Sequence, residues 1–179
     1  MNKKGISMLV IVAIIVIAVV VGGIAAYYVL SSGGGDNGGN GGGGEDVYTV
    51  ENATSLQYEA EVVSQDATIT YKWAAKNIGT DNMVLRVDIL GDVTYSYILN
   101  GEDDTAWMAV DDEWTDVSDT FSTQWADWNG LWTADTDALK ASWSGTGDFT
   151  YTDSTGGSVT ITNLQINPEL ADSLFQPTT

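Results

Sequence analysis

"VLRVDILGDVTYSYILN", residues 84–100, carries two runs of alternating character joined by Gly91-Asp92. In the first, Leu85, Val87 and Ile89 share one side of an extended chain, with Arg86 and Asp88 on the other, because successive strand side chains point to opposite faces. The second run sets Tyr95 and Tyr97 in the same relation. Two strands with one dry and one wet face, separated by two residues of turn chemistry, predict an antiparallel hairpin with a type II′ turn.

The same period extends upstream. Leu56, Tyr58, Ala60 and Val62 alternate with Gln57, Glu59 and Glu61, and Ile69, Tyr71 and Trp73 with Thr68, Thr70 and Lys72. Downstream, Asn100-Gly101 reads as a type I′ signal in a loop lengthened by "EDD", and Gly156-Gly157 separates "DFTYTD" from "SVTITNLQI". All these pairings join sequence neighbours, so an antiparallel meander is expected. One segment differs. Phe121, Trp125, Trp128 and Trp132 follow one another at spacings of four, three and four, the repeat of one helix face. Ser118 or Asp119 would cap that helix, and Asn129-Gly130 would end or bend it. Leu139 and Trp143, with Thr136 as a cap, suggest a second short helix. The fold class is therefore mainly β (α+β): a curved antiparallel sheet wrapped around a short helical segment that covers its dry face.

Composition removes several functions. With 25 Asp and Glu against six Lys and Arg, the net charge is −19. Nucleic acid and anionic lipid headgroups are bound through Lys and Arg, so a nucleic-acid partner is excluded. Cys and His are both absent, which excludes disulfides, thiolate and His-zinc sites, and hydrolases that use a His base.

Residues 6–30, "ISMLVIVAIIVIAVVVGGIAAYYVL", hold no charge. At ~1.5 Å per residue they reach roughly 37 Å, enough for a ~30 Å hydrocarbon core. Lys3 and Lys4 on one flank place residues 1–5 in the cytoplasm by the positive-inside rule. A cleaved secretory signal is the alternative, but its apolar region is shorter and ends in an A-x-A-like site. Residues 31–46 form a Gly-rich tether; no Lys-Ser/Thr follows the glycines, as a phosphate-binding loop requires. Residues 47–179 are then one extracytoplasmic β domain, and the chain a single-pass cell-membrane protein.

Two resemblances follow from particular residues. "KKGIS", Lys3 to Ser7, ahead of the apolar run resembles the class III, prepilin-type signals of archaeal surface proteins, which implies cleavage after Gly5. Val10 stands where bacterial pilins carry Glu. The order of meander, aromatic helix, "WSGTGDFTYTD", Gly-Gly hairpin and "ITNLQINPELADSLF" resembles the LolA/LppX-like lipoprotein-carrier superfamily, in particular its membrane-anchored archaeal members. That resemblance covers roughly residues 55 to 176. It implies a half-barrel with an apolar interior, a lipid or lipidated protein as partner, and Leu174 and Phe175 closing the barrel edge. The chain departs from the bacterial carriers in its anchor, its acidity and its lack of a lipidated Cys.

Candidate sites are few. Tyr58, Tyr71, Trp73, Leu85, Tyr95, Tyr97, Met108 and Trp125 would line a cavity for an acyl or isoprenoid chain; the competing reading is that such aromatics fill the core. Exposed Trp107, Trp114 or Trp128 would serve sugar stacking. The acidic runs at 101–104, 110–114 and 133–137 lack the EF-hand pattern and read as solvated faces, not metal sites. No acid pair stands out for glycoside hydrolysis, so no enzyme activity is expected. Asn52-Ala53-Thr54 is a glycosylation sequon. No cofactor and no oligomeric state is specified by these residues. The leading expectation is a lipid-binding, carrier-like surface protein. The runner-up is a structural or adhesive module, including a pilin-like subunit.

Overall fold

The computed structural model describes residues 49–64 and 67–178; the apolar run at 6–30 and most of the tether lie outside them. Among the described residues, no helix is long and apolar enough to cross a membrane. Eight antiparallel strands make one curved, open sheet: β1 (Ser55–Val63), β2 (Thr68–Lys76), β3 (Val84–Leu90), β4 (Tyr95–Asn100), β5 (Thr105–Val110), β6 (Glu113–Asp116), β7 (Phe149–Thr152) and β8 (Ser158–Ile166). Their spatial order is β6-β5-β4-β3-β2-β1-β8-β7. The first six form the expected meander, and β8 returns beside β1 after the helix. The fold is thus mainly β, with one α-helix among the described residues, α1 (Phe121–Ser142).

Register decides which side chains meet. Ile89 pairs with Tyr95 and Val87 with Tyr97, so residues 91–94 connect β3 to β4 and the expected two-residue turn does not form. The difference matters because a one-residue slip exchanges the faces of a strand. A two-residue turn would have set Tyr95 and Tyr97 on the side of Arg86 and Asp88. The longer connection is held elsewhere: Thr94 and Asp111 exchange hydrogen bonds, Thr94 N–H to Asp111 Oδ1 and Asp111 N–H to the Thr94 carbonyl, each 3.0 Å.

Asn100-Gly101 is not a type I′ pair either. Asn100 pairs with Thr105, and the positive φ falls on Asp104 at 55°. Gly101 serves close approach: a Cβ there would lie 2.8 Å from the Asp81 carbonyl and 3.1 Å from that of Met83. The Gly156-Gly157 hairpin forms as expected. Gly156 takes a φ of 87°, and Asp153 Oδ1 accepts from the N–H groups of Thr155 and Gly157, both at 2.8 Å.

The aromatic segment is one helix of 22 residues, not two short ones. It runs through Asn129-Gly130 without a break. An interior Gly costs a helix about 1 kcal/mol, less than burial of Trp128 and Trp132 on either side returns. A 3-10 turn at Ser118–Thr120 leads in, with Thr120 at the N-cap and no side-chain cap bond. Thr136 is not a cap; it is buried inside α1, its hydroxyl donating to the Thr133 carbonyl at 3.1 Å.

Strand β8 contains a bulge that the sequence marks by a change of parity. Val159 and Ile161 are odd-numbered and buried, whereas Leu164 and Ile166 are even-numbered and pack on the same core. Between them Asn163 adopts φ 54°, and two residues of β8 oppose one of β1. A bulge inserts a single residue and re-aims those that follow. Asn167 then stops the strand at φ 53°, its Oδ1 accepting from the Thr54 N–H at 2.7 Å.

The tail after Pro168 does not close a sheet edge; the edges are β6 and β7. It crosses the sheet face opposite α1. Phe175 packs against Ala74, Val84 and Ile98 of β2, β3 and β4, with Leu170, Leu174, Trp107 and Trp114 around it. Lys76 pairs with Asp172 and lies over the Phe175 ring, Arg86 Nη1 donates to the Leu174 carbonyl at 2.9 Å, and Trp114 Nε1 donates to Thr178 Oγ1 at 3.1 Å. The tail sits there because the alternation of β2–β4 fails locally: Ala74, Val84 and Ile98 are apolar on the face that elsewhere is wet, and they need a cover.

Candidate functional site

The residues expected to line a cavity share one face. Tyr58 pairs with Trp73, Trp73 with Val87, Val87 with Tyr97 and Tyr97 with Met108, a single row across β1 to β5. Tyr71 and Tyr95 flank Ile89 in the adjacent row on one side, and Leu85 lies in the adjacent row on the other. Tyr58, Tyr71, Trp73, Leu85 and Tyr97 are buried, while Tyr95, Met108 and Trp125 are half-buried around them.

What faces this row is α1. Trp128, Trp132, Asp135 and Leu139 recur at helical spacing and are all buried. The Tyr58 and Trp132 rings stack at 5.3 Å, Trp73 meets Trp128 and Trp132 edge-on at 6.3 and 5.9 Å, and Tyr97 lies 4.7 Å from Trp128. These are the separations of directly packed aromatic pairs. The helix indoles therefore occupy the space above the row. Trp73 Nε1, at its centre, has no hydrogen-bond partner among the described residues. Trp125 stands at one end of the helix, 5.5 Å from Phe121.

A polar cluster lies in the same interface. Asp135 accepts hydrogen bonds from the Tyr58 hydroxyl on Oδ2 at 3.0 Å and from the Tyr151 hydroxyl on Oδ1 at 2.6 Å. Burial pushes its carboxyl up to about 6; the two phenols counter part of this, and Asp153 adds to it. Burial, reinforced by Asp135, pushes Tyr71 up to about 12 and Tyr58 well above the ordinary phenol value, so both remain neutral at physiological pH. The Tyr58 and Tyr151 hydroxyls, donating to one carboxylate, tie α1 to β1 and β7. The cluster holds these elements together.

Asp135 belongs to the acidic run 133–137 expected to be a solvated face, and that expectation fails for it. Its position was legible in one respect: it falls three residues after Trp132, on the apolar stripe of α1. Tyr151 gave no such signal. Among the described residues, no group of three or more acidic side chains is arranged to hold a metal ion.

The other candidates are placed as follows. Trp128 is buried, and Trp107 and Trp114 are half-buried beside the tail. Arg86 lies 5.8 Å over Trp114. Asn52 ends a 3-10 turn, exposed, with Oδ1 accepting from the Thr49 N–H at 2.8 Å. Leu174 and Phe175 belong to the second core under the tail. No family model and no curated protein matches this chain.

Proposed function

We propose that this chain is a membrane-anchored cell-surface protein whose β domain works through its outer surface as a structural or adhesive module. Residues 6–30 would span the membrane, 31–46 would act as the tether, and 47–179 would face outward. The observation that carries this reading is the packing of Trp128 and Trp132 onto Tyr58, Trp73 and Tyr97, which fills the space an acyl chain would need.

A second reading, a LolA-like half-barrel that carries lipid or a lipidated protein, draws support from the half-buried Tyr95, Met108 and Trp125 and from the orphan Trp73 N–H. It requires α1 to lift from the sheet and break both Asp135 bonds. One experiment separates the two. Protease applied to intact cells should release the domain, and the full chain purified from its membrane should carry no stoichiometric lipid and show no change in Trp fluorescence with acyl or isoprenoid probes. Lipid retained at one equivalent with a fluorescence change would favour the carrier, and protection of the domain from protease would remove the outward placement.

A further inference from the structure

The face opposite α1 is divided. Over β2 to β6 it is covered by the tail, whereas over β7, β8 and β1 it is bare among the described residues. That bare half differs in chemistry from the rest of the protein. Strands β7 and β8 contain no charged residue at all, in a chain of net charge −19. Their outward positions are Thr150, Thr152, Ser158, Thr160 and Thr162, with Thr160 paired to Glu61 and Thr162 to Glu59.

At the bulge this face opens into a groove of about 390 Å³ lined by Gln57, Tyr58, Glu59, Lys72, Asn163, Leu164 and Gln165. Three side-chain amides converge there, and none bonds to another described residue. Lys72 Nζ is matched by Glu59 Oε1 at 3.1 Å, so the groove has no uncompensated charge. Asn163 reaches it because the bulge holds its backbone at φ 54°, a conformation Asn tolerates better than most residues.

We infer that this groove and the adjoining threonine face bind a neutral polyhydroxyl chain, that is, an uncharged oligosaccharide. The inference rests on the surface-module reading and names its ligand class. Amides offer one acceptor and two donors each and so match hydroxyls, which are both donor and acceptor. The other occupants fit less well. An anion finds no spare cation, and an apolar chain would strand the three amides without partners. A second copy of this chain would bring one net −19 surface against another.

The test uses the full chain in a zwitterionic detergent without a sugar headgroup. Titration calorimetry follows binding of neutral gluco-, manno-, galacto- and N-acetylglucosamine hexasaccharides. At least one series should bind, and Gln57→Ala with Gln165→Ala should weaken it at least about tenfold. Both positions are exposed, so circular dichroism should be unchanged. Should that pair fail to fold, Gln57→Glu, which keeps the shape and replaces donors by an acceptor, should weaken binding as well. Absence of binding across all four series overturns the inference, as does equal binding by the variants. Protease accessibility of the domain does not depend on sugar, so that result leaves the surface-module reading in place.

Discussion

On one face of the sheet a 22-residue helix presses Trp128, Trp132 and Leu139 into a core with Tyr58, Trp73 and Leu85; on the other, a short tail sets Phe175, flanked by Leu170 and Leu174, onto Ala74, Val84 and Ile98. The first cover is held by area. Its side chains are large, and the two tyrosine bonds to Asp135 fix the helix in place. The second is smaller, and two cations beneath it, Lys76 and Arg86, bind it as well. Both covers carry polar anchors, but apolar burial scales with area, so the larger one draws more of its hold from burial.

The comparison breaks most readily at its larger side. Trp128→Ala should destabilise the domain by about 3–5 kcal/mol, the usual cost of emptying a large aromatic site. Urea unfolding followed by far-UV circular dichroism would measure it, and a loss below about 1 kcal/mol would mean that α1 is not an integral cover.

The pH dependence probes the same interface. The Asp135 carboxyl titrates near 6 in the folded domain against 3.8 for the ordinary group, so the folded state holds the proton over that interval and the unfolded state does not. Stability from this residue is therefore present at acid pH and lost as pH rises from about 4 to about 6, by up to about 3 kcal/mol. Urea midpoints at fixed ionic strength should show this decline, and Asp135→Asn should flatten it relative to the parent, leaving only the shared surface titration. An unchanged slope in Asp135→Asn would show that the buried carboxylate does not report on the helix contact.

The smallest effect belongs to the tail. Phe175→Ala should cost about 2 kcal/mol, the worth of one well-buried apolar side chain, and should expose Ile98 and Trp114 to a hydrophobic dye. Were the loss to equal that of Trp128→Ala, the two covers would not differ as described.

Much of the fold was readable because strand alternation is a local signal. The inward set Tyr58, Tyr71, Trp73, Leu85 and Tyr97 follows from period two, and the stripe of α1 from the spacing of Trp125, Trp128 and Trp132. The β8 bulge was not read: its trace, the change from Val159-Ile161 to Leu164-Ile166, acquires meaning only from the pairing with β1. The candidate groove was less legible. Gln57 and Gln165 face each other across β1 and β8, more than one hundred residues apart in the chain, and no local pattern announces such a pairing.

The amino-acid sequence by itself determined the strands, their dry and wet faces, the aromatic helix face and the strongly acidic surface, because each depends on residue type and near spacing. Only the tertiary structure decided the rest. The β3–β4 register depends on Thr94 meeting Asp111, and the helix continues through Asn129-Gly130 because the sheet rewards both flanking tryptophans. The tail lies across β2–β4 because an apolar patch there lacked a cover, and Asp135 is buried because two tyrosines from distant strands receive it. Each of these is set by partners far apart in the chain, whose contact energies outweigh the local preferences that sequence reading detects.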